Sequence, residues 1–314
     1  MCGSGIHFQV IAMSAHPPRF QRVALIGRSQ DARVAETVRN VAGHLSTHGC
    51  KVLVPGSMVI DFAVPVERVD DRTLMQRAQL IVAVGGDGTM LHAARYAAPA
   101  NVPLLGVNHG RLGFLADIGP QEALGRLDEV LAGRYIEDRR GMIHAVIEDE
   151  SGAVSCDALN DVTLQRWQTG RMLDFETVID GHYVNSHFGD GLIIATATGS
   201  TAYALSCGGP IMHPSLDAWV LAPICPHTLS DRPVVIRDSS VVEIRLLARP
   251  DTQAQVTCDG VAIGALTERS RLRVTRADIH LTLLHPEDHS YFRVLRSKLR
   301  WGRGDRARDG ASER

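Results

Sequence analysis

The tetrad Gly85-Gly86-Asp87-Gly88 sets one carboxylate among residues without side-chain bulk. Glycines permit positive φ and remove Cβ atoms, so a phosphate can reach backbone N–H groups and the positive end of a following helix. Gly85, Gly86 and Thr89 are then the loop that meets phosphate, and Asp87 is free to accept a proton from a hydroxyl nucleophile. A plainer account is equally open: Asp87 or Thr89 caps a helix and the glycines make a tight turn. Two absences narrow the chemistry. The turn after Leu25-Ile26-Gly27 has one glycine rather than G-x-G-x-x-G, and no G-x-x-x-x-G-K-[ST] occurs. A phosphate cradle without that lysine calls for another neutralising charge, most simply a divalent metal, with Mg²⁺ the expected ion.

A second stretch, DGLIIATATGSTAYALS (190–206), empties an apolar run into Thr198-Gly199-Ser200-Thr201-Ala202-Tyr203. Small donors and hydroxyls with one aromatic can hold ribose or base edges. The same residues also suit a helix start with Ser200 or Thr201 as cap and Tyr203 in the core. Asn160-Asp161 offers an amide beside a carboxylate, fit for ribose hydroxyls or for an Asx turn entering a strand. HPEDH (285–289) has His-x-x-x-His spacing but reads as a loop without further metal ligands. His92 is expected to pack on its helix, Trp167, Trp219 and Trp301 to serve core or interface, and Glu148-Asp149-Glu150 to form a solvated turn.

The elements that position these groups fall into two rhythms. Over the first half, apolar runs at 22–27, 51–55, 80–85 and 103–108 alternate with helical patterns at 31–49, 72–78, 89–97 and 121–134. That alternation predicts an α/β domain with an open, mostly parallel sheet, whose ligands sit beyond the carboxyl ends of the strands. After Gly141, MIHAVIED, DVTLQRW, LDFETVIDGHYV, GLIIAT, VVIRDSSVVEIRLLA, AQVTCDG, RLRVTRA and IHLTLLH are short, β-branched and often alternating, the pattern of an all-β carboxyl-terminal domain. The change falls between Gly113 and Gly141. We read 1–20 as a flexible extension, with Met13 an alternative start, 21–125 as the α/β domain and 126–280 as the β domain. Residues 281–300 return to the first domain, and 301–314 is too charged and Gly-bearing to order itself.

The 314 residues suffice for two cores, and Lys+Arg 33 against Asp+Glu 35 gives no basic excess to suggest nucleic acid. No apolar run approaches the ~18 residues of a membrane span, so no membrane partner is expected. Six scattered cysteines without C-x-x-C signal neither a disulfide framework nor a zinc site. With no basic-then-apolar leader, the cytoplasm is the expected compartment.

Taken together, GGDGTMLHAAR, GVNHGRLGFLAD, ALNDVTLQR, DGLIIATATGSTAYALSCGGPI, HPSLDAWVLAPICPHTLSDRPVVI, VTCDG and HPEDHSYFRVLRSKLRWG resemble the bacterial NAD kinases, from about Val23 to Trp301. The resemblance implies ATP-dependent phosphorylation of NAD at the 2′-hydroxyl of its adenosine ribose, with a divalent metal. It also implies homodimers or homotetramers whose NAD site a neighbouring subunit completes. Asp87 matches the family's general base, with Gly88 beside it. Asn160, Asp161, Arg171, Asp190 and the run Thr201, Ala202, Tyr203, Ala204, Leu205, Ser206 match NAD-contacting positions. Phe114 matches an aromatic of the site and Asp259 an acid near the reacting phosphate. Asp161 replaces a more usual Glu, Phe188 stands where relatives carry a basic residue that neighbouring His187 would replace, and Val261 stands for a frequent Gln. Ala195 and Ala197 replace a frequent Ser and Pro. Two rival readings share the Gly-Asp turn: a lipid kinase, and a catalytically silent NADP-binding regulator.

Overall fold

Aliphatic runs closed by glycine, proline or asparagine set the first strands of the computed structural model, which describes residues 18–28, 30–109, 113–150, 152–167, 172–247 and 253–301. The extension over 1–17, the tail over 302–314 and Arg171 lie outside the described residues. β1 (Arg22–Gly27), β2 (Lys51–Pro55), β3 (Glu67–Val69), β4 (Leu80–Gly85) and β5 (Leu104–Asn108) pair in parallel in the order β3-β2-β1-β4-β5. Between them run α1 (Ala32–Thr47), α2 (Asp71–Arg77) and α3 (Asp87–Ala100), and α4 (Ala123–Leu131) follows β5. α1 starts where the Asp31 side chain accepts the Arg33 N–H, and α2 where Asp70 accepts that of Thr73.

β4 is buried at every residue because both faces are covered. Leu80, Val82 and Val84 face α1 and α4 through Val38, Leu45 and Leu127. Ile81 and Ala83 face α3 through Met90, Ala94 and Ala97. Phe20 also joins the first of these cores, so the chain is already packed at a residue expected to be loose. Strand order reverses between β1 and β4. Their carboxyl ends, Gly27 and Gly85, therefore flank the crevice that such sheets offer to ligands.

The remaining strands are β6 (Ile136–Asp149), β7 (Gly152–Ala158), β8 (Asp161–Arg166), β9 (Leu173–Ile179), β10 (His182–Gly189), β11 (Gly191–Thr196), β12 (Ala218–Ile224), β13 (Val234–Arg237), β14 (Val242–Leu246), β15 (Ala254–Cys258), β16 (Val261–Leu266) and β17 (Arg271–His285). A short α5 (Tyr203–Ser206) follows β11, and α6 (Tyr291–Leu299) follows β17. β13-β12-β11-β8-β15-β16 form an antiparallel six-stranded sheet. The others extend the first sheet to eleven strands, in the order β10-β9-β14-β17-β5-β4-β1-β2-β3, with β6 on β17 and β7 on β6. Phe175, Val242 and Val274 of the larger sheet pack on Val162, Ile194, Trp219 and Val256 of the smaller.

The fold is thus the expected α/β part plus an all-β part, with one element the sequence reading divides in two. RLRVTRA and IHLTLLH are a single β17, interrupted against β6 by a register shift between Arg276 and His280. Its last residues, Leu283 and Leu284, lie parallel to Leu104 and Leu105 of β5, while Leu272 and Val274 pair with β14. Among the described residues, no helix is long and apolar enough to cross a membrane.

Candidate active site

α3 begins at Asp87, two residues before the expected start, because Gly86 occupies the cap position and makes no side-chain cap bond. The Asp87 carboxylate does not cap its own helix. Its Oδ2 accepts the N–H of Phe114 and its Oδ1 that of Leu115, each at 3.0 Å. Each oxygen keeps lone-pair capacity beyond that one bond, and the flanking Gly86 and Gly88 are exposed. Two glycines are required for this arrangement. Gly85 has φ +156°, and a Cβ there would meet Thr89 Oγ1 at 2.3 Å. A Cβ on Gly113 would meet Asp87 Oδ1 at 2.1 Å. Gly113→Ala therefore shifts the 113–115 loop and re-aims the carboxylate, with an expected fall in kcat of about 10²-fold, the cost of an ångström of misplacement. Steady-state kinetics at saturating substrate checks this.

Asn160 and Asp161 are held by Asp259, whose carboxylate accepts the N–H groups of Leu159 (2.8 Å), Asn160 (2.7 Å) and Asp161 (3.2 Å). Asp259 thus shapes this turn with the oxygens expected to face a phosphate. Burial, opposed by those N–H groups, leaves its carboxyl above the usual range. Asp161 is pushed up to about 6, first by burial and then by the charge of Asp259. The turn packs directly on the second loop: a Cβ on Gly199 would lie 2.1 Å from the Asn160 carbonyl oxygen. Thr196 donates its hydroxyl to Leu159 O at 2.7 Å and accepts the Gly199 N–H at 3.0 Å.

The cap expected from Ser200 or Thr201 is absent. Gly199–Thr201 is a single 3₁₀ turn, and α5 starts after Ala202 with no side-chain cap. Ser200 is fully buried, donating to Ala197 O at 2.7 Å and accepting the Met212 N–H at 3.0 Å. Tyr203 is 38% exposed rather than in the core, and its hydroxyl accepts Gln165 Nε2–H at 2.7 Å. Ala204 is buried, Thr201, Ala202 and Leu205 half-buried, and Ser206 exposed.

A buried polar chain joins the two loops. Arg140 donates to Thr198 Oγ1 at 3.2 Å and to Asp138 Oδ2 at 2.6 Å. His285 Nε2 lies 3.6 Å from Asp138 Oδ2, and its Nδ1 lies 3.1 Å from Asp117 Oδ2. His289 Nδ1 reaches the same oxygen at 2.5 Å, its ring stacked on His285 at 3.9 Å. Asp117 is two residues from Leu115, whose N–H holds Asp87. Burial opposes charge on Asp117, Asp138 and His285. The hydrogen bonds from the two rings nevertheless carry Asp117 below its ordinary value, and those from His285 and Arg140 do the same for Asp138. Burial likewise disfavours the charged His285 ring, but Asp117 and Asp138 bring it above the ordinary histidine value.

Other expected residues are placed differently. His187 is buried against Phe175, with Nδ1 2.8 Å from Asp231 Oδ2, so it cannot stand in for the basic residue that Phe188 replaces. Strand alternation puts the two side chains on opposite faces of β10, and Phe188 meets the His227 ring at 5.6 Å. Asp190 pairs with Arg166 at 3.3 Å. Phe114, half-buried, has Lys298 of α6 5.8 Å above its ring. Trp219 is in the core, while Trp167 and Trp301 stand exposed. His92 is exposed and edge-on to Tyr96. Two cations come to the site without having been singled out by the sequence reading: Lys298, and Arg28 at the end of β1. The Arg28 guanidinium lies 3.8 Å from where a Cβ on Gly88 would be. Lys298 lies within the stretch HPEDHSYFRVLRSKLRWG, but the sequence reading gives it no role there, and Arg28 sits in no motif; the strand order and the return of α6 bring them to the site.

Comparison with known proteins gives consistent matches. Residues 23–135 match the family model described as ATP-NAD kinase N-terminal domain, and residues 159–285 that of the ATP-NAD kinase C-terminal domain. The chain is 44% identical over 287 residues to the NAD kinase of Nitrosococcus oceani, covering 90% of this chain and 98% of that one. It is 44% identical over 292 residues to the NAD kinase of an Azoarcus species, covering 92% and 98%. Among solved structures, it is similar in fold to yeast NADH kinase complexed with NADH, with TM-score 0.83, 24% identity, and 93% and 90% of the two chains covered. An Archaeoglobus fulgidus NAD kinase in complex with ATP matches with TM-score 0.69, 24% identity, and 89% and 98% covered.

Proposed function

This chain belongs to the ATP-NAD kinase family and phosphorylates NAD to NADP, and we propose that Asp87 is the base that makes the ribose hydroxyl reactive. The single observation behind this reading is a carboxylate fixed by two main-chain N–H groups at the point where strand order reverses, between exposed glycines. Asp87 accepts the proton of the 2′-hydroxyl as its oxygen bonds to the γ-phosphorus of ATP. The bond to the β,γ-bridging oxygen breaks and ADP leaves. Mg²⁺ enters on the triphosphate as part of that substrate and neutralises charge on the phosphate oxygens. The residues at the turn fit that role: neither of the two His/Asp groupings with metal-ligand spacing among the described residues includes Asp87. Arg28, Lys298 and the N-terminus of α3 supply the remaining positive charge.

Asn160, Asp161 and the run Thr201–Ser206 hold the dinucleotide in this reading, with Tyr203 as an apolar wall, Asp190 and Phe188 at its margin, and Arg171 as a further contact. A subunit of a homodimer or homotetramer completes the site. Exposed Tyr183, Val184, Val234 and Val235 on β10 and β13 support such an association. The division at 125 and 280, with 281–300 returning to the first part, belongs to the same reading, as does the cytoplasm as compartment. The pairing of β17 with β5 and the free thiols among the described residues support them.

Incubation of the purified chain with ATP, Mg²⁺ and NAD, with diacylglycerol in parallel, tests the whole. NADP is the expected product, while phosphatidate or no product would favour the rival readings. Tyr203→Ala is expected to raise the KM for NAD about tenfold with little change in kcat, since an exposed wall contributes equally to ground state and transition state. A fall in melting temperature at unchanged KM would return Tyr203 to a packing role.

A further inference from the structure

We propose that His44, His48 and Asp128 form a binding site for a borderline transition-metal cation of the Zn²⁺ class, joining α1 to α4 at the edge of the sheet remote from Asp87. His44 and His48 are one turn apart at the carboxyl end of α1, so their rings share one face, with centroids 4.5 Å apart. Asp128 faces them from α4. His44 Nε2 lies 2.6 Å and His48 Nε2 3.1 Å from the same oxygen, Asp128 Oδ1. Because α1 leads into the start of β2, the cluster sits at the amino-terminal edge of the parallel strands, whereas Asp87 lies beyond their carboxyl ends.

The orientation of the His48 ring supports this reading. Its Nδ1 lies 2.9 Å from the His44 carbonyl oxygen, which can only accept, so Nδ1 bears the ring proton. In the neutral ring the lone pair is then at Nε2, aimed at a carboxylate oxygen. Two acceptors facing each other need a positive centre between them, either a proton or a metal cation. A ring N–H donated to a backbone carbonyl is also how metal-bound imidazoles are oriented. The donor atoms all lie within 4.8 Å of one another, and a tetrahedral zinc site needs them about 3.3 Å apart. Side-chain exposures of 19% for His44, 37% for His48 and 47% for Asp128 leave an open side for water ligands.

Two imidazoles with one carboxylate suit Zn²⁺, Ni²⁺ or Cu²⁺ far better than Mg²⁺, which separates this site from the ion that travels with the triphosphate. The other grouping with ligand spacing, Asp117 with His285 and His289, is nearly closed to solvent and leaves no such open side for water ligands. There both rings present Nδ1 to Asp117 and can each donate a proton, and His285 Nε2 faces Asp138.

Titration calorimetry of the EDTA-treated full chain with ZnCl₂, with MgCl₂ in parallel, tests the proposal. One Zn²⁺ per chain is expected at micromolar concentration, with no matching Mg²⁺ signal. His48→Ala and Asp128→Asn, both at the surface, should each weaken that binding roughly tenfold or more. Zn²⁺ should raise the melting temperature of the parent chain but not of His48→Ala, and His48→Ala should phosphorylate NAD in Mg²⁺ at the parent rate. Absence of Zn²⁺ binding by the parent chain, or binding undiminished in both variants, overturns the site.

Discussion

Asp87→Asn is expected to lower kcat for NAD phosphorylation by about 10²–10⁴-fold, the range a positioned general base contributes, while the dissociation constant for NAD changes little. The structure adds a second consequence. Both Asp87 oxygens are acceptors for the 113–115 loop, and an amide keeps only one. Either the Phe114 or the Leu115 N–H then faces an NH₂ group, at a cost of about 1–3 kcal/mol. The melting temperature of Asp87→Asn should therefore fall by several degrees. Gly113→Ala separates the two effects, because it moves the loop and re-aims the side chain of Asp87 yet keeps a carboxylate that can take the proton. If Gly113→Ala proves as damaging to kcat as Asp87→Asn, the carboxylate is a support for the loop and not the proton acceptor.

His285→Gln is expected to be the most destabilising single change in the polar chain. The ring is 1% exposed and stands between Asp117 and Asp138. Removing one partner from a buried charged set costs about 3–5 kcal/mol. The sign of the pH dependence follows from the shifts. The raised His285 value contributes stability below its unfolded value, about pH 6.5, and loses it as pH rises through the folded one. The depressed Asp117 and Asp138 values contribute above about pH 4 and lose that as pH falls through theirs. Urea unfolding should therefore show the widest gap between parent and variant from about pH 4 to 6.5, narrowing toward alkaline pH. A gap constant from pH 5 to 9 (roughly the window those shifts define) would mean the ring carries no charge. Because Asp117 anchors the loop that aims Asp87, kcat should fall more than the KM for NAD rises.

The parts of this site legible in the sequence are those whose geometry is local. β1, β2 and β4 match the runs RVALIG, KVLVP and LIVAVG, since a fully buried strand needs only continuous apolar residues. LDFETVIDGHYV reads as one stretch, but Asp180 (φ 50°) and Gly181 (φ 79°) fold it into the β9–β10 hairpin. β7, GAVSCDA, escapes notice because its first four residues are exposed and small. β12, AWVLAPI, contains a proline inside a buried strand. The Asp117–His285–Asp138–Arg140 chain has no sequence signal beyond the HPEDH spacing. Its members come from a loop, the end of β17 and the start of β6, and the HPEDH spacing showed two rings without the carboxylate between them. His187 misled because adjacency to Phe188 in sequence means opposite faces in a strand.

β17 has one more implication, for the order in which the molecule is made. During synthesis the parallel strands emerge well before β17, the strand that covers the open edge of β5. Until then a nascent chain of more than two hundred residues holds an uncovered β5 edge. Trigger-type chaperone engagement during translation, and a late cooperative gain of protease resistance once residues 271–285 are free of the exit tunnel, are the expected traces of that delay.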